Sequence, residues 1–266
     1  LPPPRRAKQS ALTHVTEATF FSILLRGWFA LAAIVAIALL FLDAPYGRFQ
    51  RAGWGPTLPA RIGWVLMEAP AACTIALCFA IRPPTEIVPW ISLALWELHY
   101  IQRAFIFPFR MRGAEKPMPL AIPVMAAFFN GVNGYLNGRS LTLFGPAHDA
   151  TWLRNPQFIL GVALFLGGMF ENHRSDAILR TLRAPGETGY KIPKGGMFRF
   201  VSCPNYLGEI VEWIGWGLLT GSLAGWSFAV WTAANLAPRA FAHHRWYRTM
   251  FPEYPGERKA LVPFLM

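Results

Sequence analysis

Ser202-Cys203-Pro204-Asn205-Tyr206-Leu207-Gly208-Glu209-Ile210-Val211-Glu212 runs straight into Trp213-Ile214-Gly215-Trp216-Gly217-Leu218-Leu219, and no further charge appears until Arg239. Asn205, Glu209 and Glu212 stand at i, i+4 and i+7, which is one side of a helix. A charged side chain in the middle of a bilayer costs about 2.5–3.5 kcal/mol on insertion scales, so carboxylates at the mouth of such a run face a cavity or a partner. The stretch therefore reads as an apolar helix with polar groups aimed inward, and the remaining chain has to supply what they face.

Composition supports that reading. The 266 residues are 54% hydrophobic and 15% charged, against about 25% charged in ordinary soluble domains. Eleven Trp and 21 Phe exceed the needs of one soluble core and suit lipid-facing surfaces and interfacial belts. This is the composition of an integral membrane protein. The net charge of +11 lies between apolar runs rather than along one basic stripe. That argues against nucleic acid and for membrane orientation plus an anionic small molecule. Cys73, Cys78 and Cys203 have neither CxxC spacing nor a partnering His pair, so no zinc and no disulfide framework is expected. All three read as buried, inert thiols.

Apolar runs place seven spans at about 20–42, 60–81, 86–108, 118–136, 156–170, 206–221 and 223–240. The fifth is expected to continue as helix to Leu182, and 184–199 reads as loop from Pro185-Gly186, Pro193 and Gly195-Gly196. Residues 1–19 read as a flexible lead-in, 20–137 as a half with four spans, and 138–266 as a half with three spans, loops and tail. The loops after spans one, three and five, with the tail, hold most of the Lys and Arg. The positive-inside rule then puts the C-terminus in the cytoplasm, although Arg5, Arg6 and Lys8 argue the other way. The expected fold class is all-α: a polytopic integral membrane protein with a seven-transmembrane-helix bundle and a loop-rich cytosolic cap.

Three constellations carry chemistry. Asn172, Asp176, Arg180 and Arg183 recur at i, i+4, i+8 and i+11, which is either a ligand face or a solvated helix face with i,i+4 pairs. Arg239, His243 and Tyr247 recur at i, i+4 and i+8, equipment for phosphate and ribose or for interfacial anchoring. Glu68 in span two, with Tyr100 and Arg103 in span three, is a functional intramembrane acid or an ion pair with Arg103. His99 reads as a packed or hydrogen-bonded histidine rather than a metal ligand. GxGxxG, P-loop, HExxH and GxSxG sequences are absent.

Asn172 to Asp176 with Ile178-Leu179-Arg180, Pro185-Gly186-Glu187, Tyr190-Lys191-Ile192-Pro193, Gly195-Gly196-Met197-Phe198, Asn205 to Gly215, Arg239 to Tyr247 and Tyr254-Pro255 through Leu261 together resemble the steroid 5α-reductase family, in a bacterial-type homologue. The likeness is dense over 165–266 and thins to Leu66, Glu68, Pro70, Leu98-His99-Tyr100 and Arg103 before that. It implies an NADPH-dependent reductase, a 3-oxo-5α-steroid 4-dehydrogenase, that saturates the carbon–carbon double bond of a 3-oxo-Δ4 steroid. It further implies that Arg103, Asn172, Asp176, Arg183, Tyr190, Lys191, Asn205, Glu209, Arg239, His243 and Tyr247 contact the cofactor on the cytosolic side. Glu68 and Tyr100 become the pair that holds the substrate carbonyl. One departure is Met67, where animal members commonly carry Gln before this Glu.

The chemistry agrees with that assignment. Hydride attack on the β-carbon of an enone moves negative charge to the carbonyl oxygen, and donors waiting there are worth several kcal/mol in a dry site. A carboxyl in apolar surroundings favours its neutral, donating form, the logic of the Tyr and protonated acid in ketosteroid isomerase. Polyprenal reductases and long-chain trans-2-enoyl-CoA reductases share the C-terminal pattern and remain alternatives for the substrate. Membrane isoprenylcysteine methyltransferases, which use S-adenosylmethionine, are the rival from another class. A transporter would show inverted repeats, and none is found. The expected partners are a steroid or other lipid substrate and membrane lipids, with no nucleic acid and no metal, in a monomer. The expected location is a bacterial inner membrane, or the endoplasmic reticulum membrane in a eukaryote.

Overall fold

A computed structural model describes residues 16–42, 55–184, 187 and 189–266 in full, and the helical backbone from Arg5. Among them seven long helices follow one another: α1 (Arg5–Phe41), α2 (Ala60–Ile81), α3 (Ile87–Ile101), α4 (Ala121–Arg139), α5 (Pro156–Thr181), α6 (Pro204–Thr220) and α7 (Leu223–Met250). α3 runs on through a π-type turn, Gln102–Ile106, and one more helical turn, Phe107–Arg110. Each expected apolar run coincides with one helix. Two helices are longer than their apolar parts. α1 already begins at Arg5, so 5–19 is helix and not a flexible lead-in; Ala7, Lys8, Gln9, Ala11 and Leu12 are strong helix formers uninterrupted by Gly or Pro. α7 likewise continues to Met250, past the apolar end near Ala240. The loop expected over 43–54 and the break at Pro185-Gly186 lie outside the described residues.

The helix ends follow local chemistry. Asn155 caps α5, its side-chain oxygen accepting from Gln157 N at 2.8 Å, with Pro156 in the first turn. α6 stops at Gly221, which takes φ +58° and so turns the chain left-handed into α7. The sequence did not signal two short strands, β1 (Thr57–Pro59) and β2 (Pro117–Pro119), which pair antiparallel and set the starts of α2 and α4 side by side. At the other end of the chain the tail returns to the start of α6. Ser202 N donates to Lys259 O at 2.8 Å, and Lys259 N donates to Phe200 O at 2.8 Å.

α5 and α6 pack backbone to backbone. Gly161 and Gly168 on one face Gly215 and Gly208 on the other, so both helices present small residues seven apart. A Cβ on Gly208 would sit 2.7 Å from Gly168 O, and one on Gly215 would sit 2.6 Å from Gly161 O. α2 and α4 approach similarly, a Cβ on Gly134 meeting Ala71 O at 2.9 Å, whereas Gly131 faces open space. The core between the two helix pairs is aromatic: the Trp96 ring lies 5.5 Å from Trp213, 5.0 Å from Trp216 and 5.6 Å from Phe228. Trp231 on α7 donates to Trp28 O on α1 at 2.9 Å, and Arg139 on α4 grips Glu17 on α1 through two bonds of 2.7 and 2.8 Å.

The outer surface is apolar. Ile34, Leu77, Phe128 and Phe170 are all more than half exposed, on four different helices. A soluble monomer rarely presents so much contiguous apolar surface. Thr16–Phe41 and Ala60–Ile81 are long and apolar enough to cross a bilayer. Cys78 and Cys203 are buried as expected, but Cys73 is exposed. Five helical residues separate it from Cys78, which turns it about 140° away around α2.

Candidate active site

Three helices meet at one end of the interior. α2 brings Glu68, α3 brings Tyr100 and α4 brings Asn130, which stands between them. Asn130 Nδ2 donates to Met67 O at 2.5 Å and to Glu68 Oε2 at 3.2 Å, and its Oδ1 accepts from Tyr100 OH at 3.4 Å. Tyr100 is fully packed, its ring 4.9 Å from Trp96. A carboxyl, an amide and a phenol thus form one hydrogen-bonded chain in an otherwise apolar interior. Among the described residues Glu68 makes no direct ion pair with Arg103, whose guanidinium lies nearest Asp176 and Glu209.

One turn beyond Tyr100, where the π-type turn widens the helix, Arg103 leans the other way. Its guanidinium is 3.5 Å from Asp176 Oδ2 on α5 and 3.7 Å from Glu209 Oε2 on α6, sandwiched against Trp64 at 4.9 Å and Phe107 at 5.0 Å. Asn172 Nδ2 donates to Asn205 O at 3.0 Å and to Glu209 Oε2 at 3.3 Å, and Asn205 Nδ2 donates to Asp176 Oδ1 at 3.2 Å. Five residues predicted to contact a cofactor, Arg103, Asn172, Asp176, Asn205 and Glu209, therefore form one cluster. A short step along α6 and α7, Arg239 donates to Tyr206 OH at 3.2 Å, and the same hydroxyl lies 3.3 Å from His243 Nε2.

Comparison with known proteins meets these residues at that point. A family model described as 3-oxo-5-alpha-steroid 4-dehydrogenase matches residues 116–266, which include Asn130, the Asn172, Asp176, Asn205 and Glu209 members of the charged cluster and the Arg239–His243 group. The chain belongs to this family. It is 44% identical over 242 residues to 3-oxo-5-alpha-steroid 4-dehydrogenase 1 of Bos taurus, covering 89% of this chain and 93% of that one. The steroid 5-alpha-reductase DET2 of Gossypium hirsutum is 38% identical over 267 residues, 97% and 99% of the two chains. The Homo sapiens 3-oxo-5-alpha-steroid 4-dehydrogenase 1 is 44% identical over 226 residues, 84% and 86%.

The remaining cofactor residues predicted for this 5α-reductase family member lie elsewhere. Arg183 is past the end of α5, donating to Gly189 O at 3.0 Å with Tyr190 6.0 Å away. Lys191 pairs with Glu187 at 2.6 Å; that bond and the Ala184 N–H hold the Glu187 carboxyl below its usual range. Tyr247 is buried against Tyr254, the rings nearly parallel at 5.2 Å, and Trp246 stands edge-on to both Tyr190 and Tyr247. Arg183, Tyr190, Lys191 and Tyr247 thus form an outer group, separate from the Arg103 cluster.

The sequence reading missed three members of this arrangement. Asn130 was not singled out, although an amide three residues before Asn133 inside an apolar run was a visible signal. Tyr206 adjoins Asn205 but points to α7. Glu212 was noticed and left without a role; it binds His99 Nδ1 at 2.6 Å, so His99 is hydrogen-bonded as expected. Among the described residues no group of His, Cys, Asp and Glu is placed to hold a metal ion.

Proposed function

We propose that this oxidoreductase of the steroid 5α-reductase family uses NADPH to saturate the Δ4 double bond of a 3-oxo-Δ4 steroid. The observation that carries the reading is the Glu68–Asn130–Tyr100 chain lying one helical turn from the Arg103–Asp176–Glu209 cluster. The first supplies hydrogen-bond donors in a dry interior, which a carbonyl requires. The second and its neighbours supply the donors and acceptors that a dinucleotide requires. The reading also takes all seven helices as membrane spans, with the C-terminus in the cytoplasm, 20–137 as the substrate side and 138–266 as the cofactor side.

The residue chemistry fits NADPH. Arg239 and His243 are suited to phosphate oxygens, and Asp176, Glu209, Asn172 and Asn205 to ribose hydroxyls or a carboxamide. A bound dihydronicotinamide supplies the hydride for C5 of the steroid. The chain's own part is at the other end of the enone. In its neutral form Glu68 receives the Asn130 N–H on one oxygen and presents its proton from the other. Tyr100 turns its hydroxyl from Asn130 to the same carbonyl. Both groups hold the C3 oxygen as negative charge develops there, and the aromatic walls around Trp96 keep competing water away. Protonation at C4 completes the saturated ketone.

The test is product analysis after incubating detergent-purified protein with NADPH and progesterone or testosterone. A 5α-dihydro product from wild type, lost in Glu68→Gln, supports the reading. NADPH stabilisation of the fold without any steroid product would move the substrate to another conjugated lipid.

A further inference from the structure

The most deeply buried acid–base pair in the described chain has no part in the reaction above. His99 and Glu212 are 6% and 0% exposed, and Nδ1 meets Oε1 at 2.6 Å, the length of a charge-assisted bond. The second Glu212 oxygen has no hydrogen-bond partner. A buried acid satisfied on one side only is a poor device for stability, since apolar residues of similar volume generally do as well or better. Its surroundings show what it does fix. The imidazole is wedged edge-on against Tyr100, ring centres 4.9 Å apart at 71°, and against Trp213 at 4.7 Å and 66°. Its position is thus set by Glu212 on one side and passed to Tyr100 on the other.

The wider geometry has the same sense. α3 and α6 are joined by two rungs: His99 with Glu212, and, one turn further along α3 and one turn back along α6, Arg103 with Glu209. Tyr100 lies between the rungs, just before the helix loosens into the π-type turn at Gln102. The backbone changes there from α to π register, and on the α6 side the neighbours of Tyr100 are the side chains of the two rungs and Trp213.

We infer that His99 and Glu212 are a positioning pair that sets the place of the Tyr100 hydroxyl, so that their contribution to steroid reduction runs through Tyr100. The inference rests on the function proposed above. Misplacing a reacting group by about 1 Å can cost about 100-fold in rate. Freeing the imidazole should therefore lower kcat by about 10–100-fold, with the steroid KM changed by less than about threefold and NADPH stabilisation of the fold retained.

The experiment is a double-variant cycle on the full chain: wild type, Glu212→Gln, Tyr100→Phe and both together. Each is assayed for kcat and KM, and for equilibrium binding of a saturated 3-oxo steroid that cannot turn over. With no hydroxyl left to position, Glu212→Gln should cost nothing further in the Tyr100→Phe background. A loss that multiplies undiminished onto Tyr100→Phe overturns the inference. If Glu212→Gln does not fold, His99→Phe takes its corner, and His99→Asn, whose amide stands near the place of Nδ1, should recover part of the turnover; no recovery overturns it. If wild type binds the steroid but reduces none, the proposed function fails and the inference, which rests on it, falls with it. A wild type that binds no steroid overturns both.

Discussion

Gly208→Ala puts the close packing of α5 and α6 to a quantitative test. The new Cβ would lie 2.7 Å from Gly168 O and 2.6 Å from Asn172 N, both backbone atoms that no rotamer change can move. Reaching ordinary contact at 3.4 Å requires α6 to retreat from α5 by about 0.7 Å. Overpacking of this kind costs typically about 1–3 kcal/mol. The retreat also stretches the two bonds that Asn172 makes across this interface, at 3.0 Å to Asn205 O and 3.3 Å to Glu209 Oε2, past hydrogen-bonding length. Each contributes about 1 kcal/mol, so the expected loss is about 3–5 kcal/mol, together with weaker NADPH binding because the cluster opens. The assay is thermal unfolding of detergent-purified protein with and without NADPH. Gly167→Ala is the control: its Cβ meets nothing within 4 Å, and removing a helical glycine should leave stability unchanged or raised by about 0.5–1 kcal/mol. Wild-type melting and NADPH response in Gly208→Ala, or equal losses in both variants, would refute the close-packing argument.

Glu68→Gln should fold and still be stabilised by NADPH but lose most turnover; near-normal kcat would sink the donor role. Arg183→Ala should raise the NADPH KM more than the steroid KM, whereas the reverse would remove Arg183 from the cofactor group. His244, in the tail end of α7, is held below the ordinary histidine range by burial and then by Arg248, Arg258 and Lys259. The unfolded chain therefore takes up its proton first as pH falls, so stability is full above about pH 6.5 and declines below it. His244→Gln should flatten that decline in a series of melts from pH 7.5 to pH 5.5 (a range of roughly one unit either side of the free histidine value).

The helices were legible because apolar runs of bilayer length leave few alternatives, and the charged cluster was legible because helical spacing set its members on one face before any contact was known. Spacing stopped being reliable where the helix stopped or the angles accumulated. Arg183 was counted at i+11 from Asn172, but α5 ends at Thr181, so the arithmetic no longer applies to it. Tyr247 follows Arg239 by eight residues, which carries it about 80° around α7 and turns it toward Tyr254 instead of Tyr206. The partners of Asn130 and the β1–β2 pair were out of reach for another reason. Each depends on which helices become neighbours, and nothing local to 118–136 or 55–59 states that α2 and α4 lie together. The 5–19 helix was misread because charge and proline were weighed above the helix formers that follow.

α6 explains why one stretch carries so much of the molecule. One of its faces is glycine, pressed on α5 so closely that its height and rotation are fixed by backbone contact. The adjoining face, turned about 40–140° from Gly208, carries Glu209, Glu212 and Trp213 toward α3, where Arg103, His99 and Tyr100 meet them. Burying those charges costs free energy that an apolar interface would not. A flexible helix would waste that cost, because the charges would relax toward each other and lose their aim. Locking α6 against α5 lets the cost appear as orientation instead, with Asp176 of α5 and Glu209 of α6 held short of full contact with Arg103, at 3.5 and 3.7 Å, rather than collapsed onto it. Acids that stop short of their cation keep acceptor capacity for a ligand, and the glycine face is what keeps them there. It follows that loosening the α5–α6 contact should tighten the Arg103 ion pairs while weakening cofactor binding, two effects that move in opposite directions and that no general loss of stability would produce together.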